Sequence, residues 1–259
     1  MATILFDEII FGPIRSRRLG VSLGINLLPT NGKICSFDCL YCECGLNSQH
    51  KGGRMPKAEE VIKKLEEKLR QLKAEKIVPD VITFAGNGEP TMHPDFNWII
   101  DETIALRNSL CPKAKVCVLS NATQLENKKV FDALLKVDQA ILKLDSASDE
   151  TTRIMDRPVN AKFSVHSHVD KLKSLEGRLI IQTMFTRGSY EGLSFDNTTI
   201  SEVDALIVLL NDIKPESVMV YTIDRETPVK GLDKITPVEL NKIAARIRKK
   251  TGLSVSVSV

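Results

Sequence analysis

The sequence predicts an α/β protein, a partial open (β/α)6 TIM-like barrel with parallel strands inside and helices outside. Three observations predict it. Short runs rich in Val and Ile alternate with stretches of helical spacing along most of the chain. Those runs are almost continuously apolar, as strands covered on both faces must be. Each run also ends in a polar or glycine-rich segment, and the carboxyl ends of parallel strands are where such sheets bind ligands. The 259 residues approach the length of a full eight-stranded barrel, but two long loops use up residues and only six βα units are convincing, so the open form fits best.

The strands expected are residues 21–28, 81–85, 115–119, 139–144, 179–185 and 217–223. A further strand is expected at 3–10, before the repeating part. A last one is expected at 253–259, where Val and Ser alternate and one face is buried. Ala58, Val61, Ile62, Leu65, Leu69 and Leu72 recur at helical spacing with Lys and Glu between them. Residues 96–110, 128–136, 163–175 and 201–211 read as further helices. Thr236-Pro237-Val238-Glu239 combines a capping hydroxyl, Pro at the first helical position and Glu at the third. Leu240, Ile243, Ala244 and Ile247 then form one apolar face, and Gly252 is the expected C-cap. No linker or low-complexity tract divides the chain, so a single domain over 1–259 is expected.

An apolar fraction of 42% supports a real core, and 27% charged residues is ordinary. A net charge of +3 is too small to argue for nucleic acid by itself. No apolar run approaches the length needed to cross a bilayer. Asp7-Glu8 stands where a signal peptide would carry basic residues, and a cytoplasmic location is the expectation. Six cysteines in a chain this long do not make a disulfide scaffold; in a reducing compartment a cysteine cluster points to metal binding or catalysis.

That cluster is Cys35-x3-Cys39-x2-Cys42, following the first repeating strand. Three thiolates on one short loop can hold three irons of a cubane cluster and leave one iron open, because a fully protein-ligated cluster needs a fourth cysteine. The amine and carboxylate of an amino acid can fill the open position. The same spacing also suits a zinc-stabilised binding module, with Cys44 or His50 as fourth ligand, or an electron-carrying ferredoxin with Cys44. Cys44 reads as a bystander, and Cys117, in a strand, as a small core residue.

The other loops on the same end carry candidates. Gly86-Asn87-Gly88-Glu89-Pro90 follows the second strand; its glycines let the backbone approach a ligand closely, and its carbonyls with Glu89 offer acceptors for an ammonium group. A tight strand-to-helix turn explains it equally. Ser120 and Asn121 can bond ribose hydroxyls or a carboxylate, or cap the following helix. Lys143 and Asp145 share a strand face, as a cavity-facing pair or an internal salt bridge. Gln182 and Met184 share a face of the fifth strand, and Tyr221, Asp224 and Arg225 end the sixth. Gln182 and Tyr221 can also be satisfied core residues. Arg153, Arg157 and Arg225 are further candidates to face the cavity.

The cysteine loop, with aromatic Tyr41 before its last cysteine, and Gly86-Asn87-Gly88-Glu89-Pro90 after the second strand resemble the two main motifs of the radical SAM superfamily. The resemblance covers residues 21–223. The segment Gly12-Pro13-Ile14-Arg15-Ser16-Arg17-Arg18-Leu19-Gly20, leading into Leu23-Gly24-Ile25-Asn26, is similar to short single-domain iron–sulfur oxidoreductases related to enzymes that make wyosine-type bases in transfer RNA. The resemblance implies a 4Fe–4S cluster on Cys35, Cys39 and Cys42. It implies S-adenosyl-L-methionine held by Gly86, Asn87, Gly88, Glu89 and Pro90 at its amine. Ser120 and Asn121 would meet the ribose or carboxylate, with Asp145 assisting. Tyr41 backbone groups would lie near the adenine, Tyr221 would pack beside it, and Gln182 belongs to the same cofactor site.

The implied activity is reductive cleavage of the cofactor to methionine and a 5′-deoxyadenosyl radical, which abstracts hydrogen from a substrate. RNA or another nucleotide is the first substrate reading, supported by Arg15, Arg17 and Arg18 as phosphate partners, although a solvated or paired group explains them too. The alternative is a peptide- or protein-modifying enzyme, including activation of a glycyl radical partner. No flavodoxin-like domain is appended, so an external flavodoxin or ferredoxin is expected to supply electrons.

Overall fold

The computed structural model describes residues 4–49 and 52–259. They fall into two compact units: residues 5–35 with 52–140, and Ile4 with 36–49 and 141–259. His50 lies outside the described residues, so its reading as a zinc ligand stays at the level of sequence, as does Thr3, the first residue of the strand expected at 3–10.

The amino-terminal unit contains β1 (Ile10–Ser16), β2 (Gly20–Ile25), α1 (Ala58–Ala74), β3 (Val81–Phe84), a 3-10 turn (Pro90–Met92), α2 (Phe96–Leu110), β4 (Lys115–Ser120) and α3 (Lys128–Leu134). β2, β3 and β4 are parallel, with Leu23, Ile82 and Val116 in one row and Ile25, Phe84 and Val118 in another. All six side chains are fully buried on one face, and Thr83 and Cys117 on the other face are buried as well, so both sheet faces are covered and the near-continuous apolar runs are explained. α1 covers one face with Val61, Leu65, Leu69 and Leu72, spaced to form one stripe.

The first strand departs from expectation. It is Ile10–Ser16, antiparallel to β2, and not 3–10. Pro13 has no N–H to donate and is tolerated because β1 is an edge strand. The hairpin turns at Arg17-Arg18-Leu19, where the Ser16 hydroxyl accepts from the N–H groups of Arg18 (3.3 Å) and Leu19 (3.2 Å).

The carboxy-terminal unit takes over within β5 (Gln139–Lys143). It continues with α4 (Asp149–Met155), α5 (Val165–Lys173), β6 (Ile180–Met184), β7 (Thr186–Tyr190), β8 (Leu193–Asp196), α6 (Ile200–Ile213), β9 (Ser217–Tyr221), β10 (Leu232–Lys234), α7 (Pro237–Thr251) and β11 (Ser254–Ser258). β5, β6, β9 and β11 pair in parallel in that order. α7 is capped as its sequence predicts: Thr236 Oγ1 accepts from Glu239 N at 3.2 Å, and Gly252 closes the helix at φ +74°. α4 and the small antiparallel sheet β10-β7-β8 are additions to the expected pattern. Among the described residues no helix is long and apolar enough to cross a membrane.

His168 on α5 is buried, and its Nε2 donates to the Lys143 carbonyl at 3.1 Å. Burial lowers its pKa from 6.5 to about 4, with the carbonyl bond working against that. The imidazole is therefore neutral in the native protein, while the unfolded chain takes up the proton below about 6.5. Between those values the unfolded chain binds more protons, so stability is complete above pH 6.5 and is lost as pH falls toward 4, by about 3 kcal/mol. Urea unfolding at a series of pH values should show this slope, and His168→Gln should flatten it; an unchanged slope would assign it to other groups.

Candidate functional site

In the amino-terminal unit, the segment after β2 is tied to the segment after β3 by backbone. Ile34 N donates to Asn87 O at 3.1 Å and Glu89 N donates to Ile34 O at 3.0 Å, forming a bridge between Ile34 and Gly88. Gly88 has φ +130°, and a Cβ there would stand 1.9 Å from the Ile34 carbonyl oxygen. Gly86 has φ +150°, and its Cβ would meet Asn26 Oδ1 at 2.4 Å. The close approach that these glycines permit is thus made by the chain's own backbone and by Asn26, beside Cys35. Asn87 is fully buried and acts as a staple: its Nδ2 donates to the carbonyls of Phe6 (2.9 Å) and Pro29 (2.8 Å), and its Oδ1 accepts from Phe6 N (2.8 Å). Pro90 begins the 3-10 turn.

Glu89 gathers the next loop. It is buried, and Oε1 accepts from Thr91 N (3.1 Å), Thr91 Oγ1 and Ser120 Oγ (2.7 Å), while Oε2 accepts from Asn121 N (2.7 Å). Burial raises its pKa above the ordinary 4.5, and these four hydrogen bonds pull the other way. Ser120 and Asn121 do not cap α3; Asn127 does, accepting from Lys129 N at 3.0 Å. Instead Ser120 Oγ accepts from Ala122 N at 2.9 Å, and Asn121 Nδ2 reaches Cys35 Sγ at 3.7 Å. Glu89, Ser120, Asn121 and Cys35 therefore form one connected group.

In the carboxy-terminal unit, the Cys39–Cys42 turn closes on itself, with Cys42 N donating to Cys39 O at 3.1 Å. It is bonded to the end of α4: Leu40 N donates to Met155 O (2.9 Å) and Asp38 N to Asp156 O (3.0 Å). Leu40 and Tyr41 pack with Met155, Met184, Phe195 and Val229, and Tyr221 lies against that cluster. Lys143, Gln182 and Met219 occupy one row across β5, β6 and β9, and Met184 and Tyr221 the next position on the same face. Since Met184 and Tyr221 touch the Tyr41 cluster, this face is the one turned toward the cysteine turn.

Lys143 and Asp145 form the ion pair that their spacing predicts, with a third member that the sequence does not reveal. Lys143 Nζ bonds Asp145 and lies 2.9 Å from Asp156 Oδ1. The Tyr41 hydroxyl bonds Asp145 and lies 3.3 Å from Asp156. Asp145 Oδ1 also accepts from Met184 N at 2.8 Å. Burial works against the charge on Lys143, but Asp145 and Asp156 hold the ammonium well above its ordinary pKa, with Cys39 and Tyr221 adding to the effect. Burial and the charge of Asp145 push Asp156 up to about 7 against the pull of Lys143. Nothing local in the sequence marks Asp156, because its partners lie on other segments.

Of the arginine candidates, Arg157 and Arg225 have partners on the cysteine loop and Arg153 does not. Arg153 is exposed and donates to the carbonyls of Ala161 (3.2 Å) and Phe163 (2.7 Å). Arg157 lies over the Tyr190 ring at 4.8 Å and 3.7 Å from Asp38. Arg225 pairs with Glu43 at 2.7 Å.

The donor set fits an iron–sulfur cluster and an organic cofactor. Cys35, Cys39 and Cys42 are half-buried, whereas Cys44, Cys111 and Cys117 are buried. The Cys117 thiol donates to Gln139 Oε1 at 3.0 Å, and burial pushes it up to about 12, so it is inert as a ligand. Among the described residues no three His, Cys, Asp or Glu side chains converge as a single metal ion requires; a cubane spreads its thiolates over separate irons. Gln182 is buried, and its Nε2 has no hydrogen-bond partner among the described residues. A buried orphan donor on the face turned toward the cysteine turn is what a ligand acceptor would satisfy.

Comparison with known proteins agrees. The family model of the Radical SAM superfamily matches residues 32–175. The chain is 34% identical over 194 residues to the UPF0026 protein MJ1312 of Methanocaldococcus jannaschii, covering 74% of this chain and 54% of that protein. It is 30% identical over 254 residues to a Brachyspira hyodysenteriae protein named GTPase Obg, covering 96% of this chain and 35% of that protein. The chain thus spans about a third to a half of the length of these relatives. Among solved structures, a radical SAM methyltransferase from Sphaerobacter thermophilus matches with TM-score 0.69 at 13% identity, over 91% of this chain and 65% of that one. TYW1 with a lysine-pyruvate adduct bound matches with TM-score 0.63 at 16% identity, over 88% of this chain and 73% of that one. These likenesses show the fold, a partial TIM-like barrel of parallel strands with outer helices. The family model spans more than half of the sequence, and the chain belongs to the Radical SAM superfamily.

Proposed function

We propose that Cys35, Cys39 and Cys42 hold a 4Fe–4S cluster with one iron open to S-adenosyl-L-methionine, and that this chain cleaves the cofactor reductively to begin hydrogen abstraction from an RNA substrate. The observation that carries the first part is the contrast among the six cysteines. The three with C-x3-C-x2-C spacing are half-buried on backbone-anchored turns, while the other three are buried. When bound, the cluster and cofactor supply an electron and a carbon-centred radical, chemistry no side chain provides.

The chain's own residues hold and orient. Backbone carbonyls of 86–90 keep a second lone pair for the methionyl amine even where they already accept one bond. Glu89 acts as the anchor of that loop, because its carboxylate already takes four donors. Ser120 and Asn121, fixed by Glu89, turn toward the ribose or carboxylate. Tyr41 backbone groups and the Tyr221 ring meet the adenine, Gln182 Nε2 donates to a cofactor acceptor, and Asp145 assists only through Lys143 and Tyr41. Electrons come from a separate flavodoxin or ferredoxin.

The RNA reading is supported by the resemblance of the Gly12–Gly20 segment to enzymes related to wyosine-type base synthesis, and by Arg15 and Arg17, which are exposed. These arginines flank the hairpin turn at the amino end of β2, and Cys35 follows its carboxyl end. Six residues of strand span about 20 Å, so phosphates at the hairpin belong to a molecule long enough to reach both ends. A folded RNA meets that requirement, and a mononucleotide does not.

Anaerobic reconstitution with iron and sulfide, followed by incubation with S-adenosylmethionine and a strong reductant, should give about four irons per chain and 5′-deoxyadenosine. Cys39→Ala should abolish the product. Bound zinc without cleavage would remove the proposal. For the substrate, transfer RNA binding should weaken steeply with salt, and Arg17→Ala should flatten the slope by about one; salt-independent binding, or none, would contradict the RNA reading.

A further inference from the structure

Lys143 is an expensive residue to bury. It closes β5 with its side chain 14% exposed, and an ammonium is kept in such a place only when paired. It is paired twice, with Asp145 and, at 2.9 Å, with Asp156. It also lies 4.5 Å from the centre of the Tyr41 ring, over its face, where a cation is attracted by the ring electrons.

These contacts gather three segments that are remote in sequence. Asp145 follows β5 and is held by Met184 N, while its carbonyl accepts from Asn197 Nδ2 at 2.8 Å. Asp156 follows α4, and its carbonyl accepts from Asp38 N at 3.0 Å. Tyr41 lies within the Cys39–Cys42 turn, and its hydroxyl reaches the same two carboxylates. An apolar residue would fill the space under the Tyr41 ring at lower desolvation cost. A buried charge network adds little stability, and its attested use is to specify one arrangement among several. The arrangement specified here is that of the turn carrying Cys39 and Cys42.

Resting on the reading of Cys35, Cys39 and Cys42 as cluster ligands, we infer that Lys143 is a positioning residue for the cluster. Through Asp145, Asp156 and Tyr41 it holds the Cys39–Cys42 turn in its ligating shape and sets a positive charge over Tyr41, within that turn. Iron is then retained more tightly, because the turn does not have to be ordered on loading, and partners that orient metal ligands commonly change affinity tenfold or more. Relative to a chain without Lys143, the reduced cluster is also favoured, because the ammonium offsets the carboxylate charges of Asp145 and Asp156 that oppose the added electron.

The test uses reconstituted full-length protein as wild type, Lys143→Met and Lys143→Arg. Far-UV circular dichroism and thermal unfolding of the apoprotein report the fold. Iron release to a chelator and the cluster's midpoint potential report positioning. Lys143→Met should release iron about tenfold faster and shift the potential to more negative values, and Lys143→Arg should restore both toward wild type. A folded Lys143→Met protein with wild-type iron release and potential would overturn the inference. Should Lys143→Met not fold, Tyr41→Phe decides: it keeps the ring over the ammonium and removes only the bonds to the aspartates. Faster iron release at an unchanged potential is then expected, and wild-type release would again overturn the inference. A wild-type protein that takes up no iron would instead defeat the underlying cluster reading, which is a distinguishable result.

Discussion

Gly88 carries no side chain because the carbonyl oxygen of Ile34 lies 1.9 Å from where a Cβ would stand. That contact fixes the backbone ahead of Cys35 against the turn after β3. Glu89, the next residue, then stands where it collects donors from Thr91, Ser120 and Asn121. Each of those donors is buried or half-buried, so losing the carboxylate would leave several unpaired groups at about 1–3 kcal/mol each. The organisation of this unit's ligand-facing loops thus descends from one close backbone approach, and only glycine permits it at φ +130°.

The carboxy-terminal unit reaches a comparable result by other means. Its cysteine turn is bonded through backbone to the end of α4 and through Tyr41 to a buried charge network. The apolar packing of Leu40, Tyr41, Met155, Met184, Phe195 and Val229 supplies the driving force for burial. Lys143, Asp145 and Asp156 contribute selection of one geometry more than stability. Their cost is met by mutual pairing and by backbone donors such as Met184 N, consistent with the rule that a buried polar network persists only when its members are satisfied. Gln182 Nε2, on the strand face that also carries Lys143, has no partner among the described residues. Under the proposed function it donates to the cofactor.

The parallel strands are legible in the sequence because burial on both faces leaves an uninterrupted apolar run, as at Val81–Phe84, and because capping chemistry is local, as at Thr236 and Gly252. β1 is not, because Gly12-Pro13 reads as punctuation, and only an edge position allows proline there. β7, β8 and β10 escape a sequence reading because they are short and partly exposed, with no apolar run to announce them. The Lys143–Asp145 pair is readable from its two-residue spacing, whereas Asp156 is not, since contacts across separate segments leave no periodic trace. The glycines at 86 and 88 stand out as permitting close approach, but the sequence does not say that Ile34 and Asn26 make it.

A cluster held by three cysteines, with one iron left for the cofactor, is the claim on which the proposed chemistry depends. Mössbauer spectroscopy of protein reconstituted with isotopically enriched iron, with and without S-adenosylmethionine, tests it most directly. The account predicts that about one iron in four changes its spectrum when the cofactor is added while the others do not. Four equivalent irons indifferent to the cofactor would contradict it.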